Sequence, residues 1–137
     1  MCFGFGVGDI LAISTLAMKV YTAYKDAPDD YKHIAEEVDS LQSILTRAVQ
    51  HSQSTTLSDD DRQEGQKVLK GCQSVLGDLN SLIEKYKSLA SANKNQSFMR
   101  VKLGTEDIAT LRARLATNAT LLSSFIGRFD ILLLTTI

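Results

Sequence analysis

Three of the four apolar stretches in this chain repeat at alternating steps of three and four residues, the spacing that lays side chains along one stripe of an α-helix. In the second stretch the stripe is Tyr31, Ile34, Val38, Leu41, Leu45 and Ala48, and a helix over roughly 29–52 is predicted. Pro28, Asp29 and Asp30 open it, the proline by its fixed φ and the carboxylates by their charge at the positive end of the dipole. The third stretch carries Leu69, Cys72, Leu76, Leu79, Ile83, Tyr86 and Ala90, widened by Val68, Val75, Leu82 and Leu89 every seven residues. It predicts the longest helix, 58–91, started by Ser58 and the Asp59, Asp60, Asp61 run. The fourth, over 105–132, takes Thr105 as N-cap with Glu106 and Asp107 in its first turn. Its stripe is Ile108, Leu111, Leu115, Asn118, Leu122, Phe125, Phe129 and Leu132, interrupted only by the asparagine.

The first stretch, predicted helical over 9–25 with Asp9 as N-cap, differs in kind. Ile10, Ile13, Ala17, Val20 and Tyr24 lie on one line, but Leu11, Leu16 and Met18 occupy the rest of the circumference. A helix apolar nearly all round must be covered by protein or by lipid.

A chain of 137 residues holds one ordinary core, so residues 1–137 are expected to form a single domain. With short connections after the first two helices, the expected architecture is all-α, an antiparallel four-helix bundle running up-down-up-down. A single proline and no tryptophan agree with long helices better than with a sheet.

Several function classes are excluded at this stage. A net charge of -1 offers no global attraction to nucleic acid, so none is expected as a partner. Cys2 and Cys72 form no CxxC and suit reduced thiols in a cytoplasmic protein. No basic n-region precedes the apolar start, and Ile10 to Met18 is about half of the roughly 20 residues that span a bilayer. Gly4, Gly6 and Gly8 lack the preceding strand of a dinucleotide fingerprint. His33 and His51 sit about five turns apart on one helix and share no metal ion. Glu36, Glu37, Asp39 and the Asp59 to Asp61 run read as a solvated face and a helix start rather than as metal ligands. Nothing supplies a nucleophile with its base, so no enzyme, no metal and no cofactor are expected.

What remains are surfaces. The apolar leader and first helix make Phe3, Phe5, Ile10, Leu11, Ile13 and Leu16 candidates for contact with a membrane interface, the alternative being a cap over the bundle end. Lys85, Lys87, Lys94, Arg100 and Lys102 form a basic group without an intervening acid and are candidates for anionic lipid headgroups. The simplest topology puts these two features at opposite ends. Asn118 is expected to fix helix register from a core position. Myristoylation is excluded by Cys2 in the place of the required glycine.

The MxFGFGVGD leader, DAPDDYKHIAEEVDSLQSIL in the second helix, GCQSVLGDLNSLIEKY in the third and TEDIATLRARLATNATLLSSFIGR in the fourth together resemble the N-terminal domain of fungal STAND (NLR-like) proteins, the HeLo-like group. The resemblance covers nearly the whole chain. It implies a helical bundle at the N-terminus of a larger receptor or ankyrin-type protein, with self-association as a partner expectation. It further implies that some members execute regulated cell death by relocating from the cytoplasm to the plasma membrane, the first helix being exposed on oligomerisation. The alternative implied function is a non-lytic helical adaptor that docks other proteins. The stretch RVKLGT departs from the basic and aromatic residues usual before the EDI motif. The chain ends on FDILLLTTI with no nucleotide-binding domain after it, as an excised domain or a stand-alone version would.

Overall fold

The computed structural model describes residues 7–27, 29–54, 58–92 and 108–136. They form four helices: α1 (Val7–Tyr24), α2 (Asp29–Ser54), α3 (Asp59–Ala92) and α4 (Ile108–Thr136). No strand occurs among the described residues. As the apolar run indicated, α3 is the longest, at 34 residues. The leader and the connection between α3 and α4, with Phe3, Phe5, Thr105, Glu106 and Asp107, lie outside the described residues.

Local chemistry sets the ends. The Ser58 hydroxyl accepts the Asp61 amide at 3.2 Å, and the Ser58 carbonyl accepts the Arg62 amide at 2.9 Å, so this serine caps α3 as its position suggested. Asp59, Asp60 and Asp61 add charge to the positive end. Replacing the hydroxyl by Ser58→Ala is expected to lower stability by about 1 kcal/mol in urea unfolding. An unchanged midpoint would mean that the aspartates suffice. The start of α1 corrects one expectation: the helix begins at Val7, so Asp9 lies inside the first turn rather than at the N-cap. Its charge still meets the helix dipole there. At the other end the Lys25 amide donates to the Tyr21 carbonyl and the Ala27 amide to the Tyr24 carbonyl, after which Pro28 cannot extend the helical ladder.

The helix directions are up-down-up-down. In the α1 and α3 pair, Asp9 and Ala12 sit level with Gln66 and Lys70, while Lys19 is level with Glu84, so these helices run parallel. In the α3 and α4 pair, Glu64 meets Arg128 and Asp78 meets Arg114, so these run antiparallel. Short connections after the first two helices suggested that α2 would neighbour both α1 and α3, and of these only the α1 and α2 contact is found. α1 packs on α2 and α3, and α4 packs on α3 and α2, leaving α2 and α3 across the diagonal. The seam of α3 explains this. Leu69, Cys72, Leu76, Leu79 and Ile83 together with Val75 and Leu82 are all buried, a band wide enough to meet α1 on one side and α4 on the other.

All six residues of the α2 stripe are buried, as are Ile10, Ile13, Ala17, Val20 and Tyr24 of α1 and Leu111, Leu115, Leu122, Phe125 and Ile126 of α4. Three interfaces also carry ion pairs at their rims: Lys19 with Glu84 at 3.7 Å, Arg112 with Glu37 at 2.6 Å, and Arg114 with Asp78 at 2.8 Å, beside the Arg128 and Glu64 pair. Exposed pairs of this kind contribute little to stability, about 0–1 kcal/mol each, and act mainly on helix register.

Candidate interaction surface

The outer side of α1 is the part of the described surface that the fold leaves unexplained. Its inner line is committed to the core, with Ile10 and Ile13 buried. Leu11 is 51% exposed and Met18 50% exposed, the two being seven residues apart and therefore on one line along the helix. Ser14, Thr15 and Thr22 fill the space between and beyond them. This strip borders an open hollow of about 650 Å³ whose rim includes Gln42 of α2 and Asn80, Ile83 and Glu84 of α3. Apart from the Lys19 and Glu84 pair its lining is uncharged, in a chain of which 23% is charged. Apolar residues with few charges mark the centre of an interface rather than ordinary surface.

Of the candidates for membrane contact, the structure therefore separates α1 into two sets. Ile10 and Ile13 face the core, Leu11 faces out, and Leu16 is half-buried against the core rim. Met18 is the residue that sequence reasoning passed over as a site, although its distance of seven from Leu11 was the available signal. Among the basic candidates, Lys85 is exposed and follows Glu84 at the level of Lys19. The side chains of Lys87, Lys94, Arg100 and Lys102 lie outside those described. The helix directions put the start of α1 and the C-terminal end of α3 at opposite ends of the bundle.

Asn118 is half-buried where α4 crosses α3. Its Nδ2 donates to the Arg114 carbonyl at 2.8 Å within its own helix, and its own carbonyl accepts from the Cys72 thiol at 3.8 Å. Burial, opposed in part by a backbone hydrogen bond, pushes the Cys72 thiol up to about 12, so it remains protonated and a poor nucleophile. Tyr24 is likewise raised, by burial first and by Tyr31 second, and its hydroxyl donates to the Leu79 carbonyl at 2.7 Å. That bond ties the end of α1 to the middle of α3. His33 lies 3.8 Å from Glu36 on the exposed side of α2. No cluster of His, Cys, Asp or Glu able to hold a metal ion is found among the described residues. No helix among them is long and apolar enough to cross a membrane.

Four helices around one core, with an exposed apolar strip on the first of them, place the chain in the class of helical-bundle domains. Within that class it belongs to the SesA family, an N-terminal domain found on NACHT NTPases and P-loop NTPases, whose model matches residues 7–112. The match takes in α1, α2 and α3 and reaches the first turn of α4, in agreement with the resemblance to N-terminal domains of STAND proteins. The chain matches no curated protein and no solved structure.

Proposed function

We propose that this domain is the signalling output of a NACHT-type NTPase, and that clustering of the receptor brings α1 to an anionic membrane surface as the effector step of regulated cell death. The observation that carries this reading is the double apolar character of α1. Only Asp9 and Lys19 are charged in its 18 residues, and Leu11 and Met18 remain at the surface after the inner line has been buried. A helix of this length lies in the interfacial region rather than spanning a bilayer.

The docked helix offers Leu11 and Met18 as first contacts. Engaging Ile10 and Ile13 as well requires leaving the core, at roughly 1.5–3 kcal/mol for each large apolar side chain. Insertion of the same side chains into the membrane offsets that cost, so release is coupled to lipid. The domain works by contact and not by catalysis.

The test is sedimentation and dye leakage with phosphatidylserine-containing and with neutral vesicles, comparing the wild-type chain with Leu11→Glu/Met18→Glu. Both positions are exposed, so the variant keeps its core. Binding to anionic vesicles that falls by at least about tenfold in the variant is expected, since removing one such apolar contact is worth about 1.4 kcal/mol or more. Equal binding by variant and wild type would refute the role of α1. An absence of binding by the folded wild-type domain would favour the adaptor reading, which the uncharged polar rim of Gln42 and Asn80 also suits.

A further inference from the structure

A second hollow, of about 150 Å³, opens on the flank of α1 that faces α3, beside the start of the helix. Its floor is Ala12, Ile13 and Leu69, and Asp9, Gln66 and Lys70 stand at its rim. Neither the Asp9 carboxylate nor the Lys70 ammonium has an ion pair among the described residues. With one charge of each sign beside it, the hollow favours neither an anion nor a cation. Its volume is that of a cavity that holds one benzene ring. The leader joins α1 next to it, since Val7 precedes Asp9 by only about 3 Å along the helix axis. We infer that this hollow is the docking site of the leader of the same chain, residues 1–6, and that the Phe5 ring is the group that fills it.

Position selects Phe5. It precedes Asp9 by four residues and Ala12 by seven, the spacings that share a helix flank, so its line along the chain leads to the α3 side. Phe3, two residues earlier, falls on the far side of that line. Gly4 and Gly6, to either side of Phe5, let the backbone turn back along the helix over so short a distance. Nothing on α1 obstructs the turn at Gly8, where an added Cβ would meet no atom within 4 Å. The apolar floor then meets one face of the ring, and the Lys70 ammonium at the rim is attracted to its π-system. Docked in this way, the leader fastens the start of α1 to α3, as the Tyr24 hydroxyl fastens its end. On the membrane reading, withdrawal of Phe5 frees the ring and the first turn of α1 together for lipid. The docking itself does not rest on that reading and is measured without vesicles.

With Cys2 replaced by serine, Gly4→Cys/Gln73→Cys is expected to close an intramolecular disulfide on mild oxidation, read by mass spectrometry. Gln73 also lines the hollow. The control pair Gly4→Cys/Leu121→Cys does not close, because Leu121 is exposed on α4, across the diagonal from α1. Cys72 is buried and takes no part. Adding Phe5→Ala slows closure of the first pair at least about tenfold, and so does Ala12→Phe, which fills the hollow from α1. Ala12 is exposed, so this variant keeps its core, which circular dichroism checks. A first pair that fails to close, or that closes no faster than the control, overturns the proposal. So does closure indifferent to Phe5→Ala, and closure unchanged in a Phe5→Ala chain that no longer binds vesicles assigns the ring to lipid instead. Each of these failures leaves the vesicle comparison of wild type with Leu11→Glu/Met18→Glu standing, so the two readings fall separately.

Discussion

Tyr24→Ala is expected to lower the stability of the domain by about 3–5 kcal/mol, whereas Tyr24→Phe lowers it by about 1 kcal/mol. The ring is fully buried at the end of α1, tilted against Tyr31 with centroids 6.4 Å apart, and its hydroxyl reaches across to the Leu79 carbonyl. Truncation to alanine removes the ring and leaves a hole where α1, α2 and α3 meet. Truncation to phenylalanine keeps the ring and removes one buried hydrogen bond. Ionisation separates the two contributions further. Burial, and then Tyr31, raise the folded phenol above its ordinary value of 10.0, so the folded state favours the neutral form. The corresponding stability is complete below pH 10, where the unfolded phenol is also neutral, and is lost as pH rises beyond it. Urea unfolding of wild type and Tyr24→Phe, compared at pH 8 and at pH 11, should therefore show the wild-type advantage shrinking at the higher pH. An advantage that stays constant would mean that water reaches the hydroxyl.

The outcome matters for function because Tyr24 ties α1 to α3 through a directed hydrogen bond. The remaining inner residues of α1 contribute apolar area without direction, while the tyrosine fixes the helix to one carbonyl of α3. In the membrane reading, release of α1 must break that bond. Tyr24→Phe is thus expected to favour release without damaging the outer strip.

How far the fold was legible differs from helix to helix. In α2 the three-four spacing picked out six residues and all six are buried, because a helix with one apolar stripe has one way to turn. In α1 the same reasoning identified the inner line, but the surplus apolar residues gave no signal of which ones a neighbour would cover. Leu16 is half-buried and Leu11 is not, a distinction decided by where α2 and α3 stand. The diagonal placement of α2 and α3 was equally out of reach. Loop length fixes whether consecutive helices are antiparallel, but adjacency depends on how broad each seam is, and only packing reveals that α3 is broad enough to touch α1 and α4 at once. Ile126 and Ala35 join the core from beside the stripes for the same reason.

Two glycines on α3 give the second large expected effect, with opposite signs. Neither has a positive φ, so backbone freedom explains neither, and an alanine at either place gains about 0.5–1 kcal/mol of helix preference. Nothing stands within 4 Å of a Cβ built on Gly77, so Gly77→Ala should stabilise by that amount. A Cβ on Gly71 would lie 2.2 Å from Oδ1 of Asn118 and 3.2 Å from its Cγ. Asn118 can yield only by giving up its 2.8 Å bond to the Arg114 carbonyl or by pushing α4 away. The second movement would strain the Arg114 and Asp78 pair on one side of the crossing and the Arg128 and Glu64 pair on the other. Gly71→Ala is therefore expected to destabilise by about 1–3 kcal/mol, the usual cost of overpacking, despite its gain in helix preference. The double variant Gly71→Ala/Asn118→Ala should recover most of the loss, since the obstruction is then gone and the helix preference remains. Thermal unfolding of the four proteins of this cycle, with Gly77→Ala beside them, decides the matter. If Gly71→Ala proves as stabilising as Gly77→Ala, the asparagine swings aside freely and the close crossing of α3 and α4 does not depend on this contact.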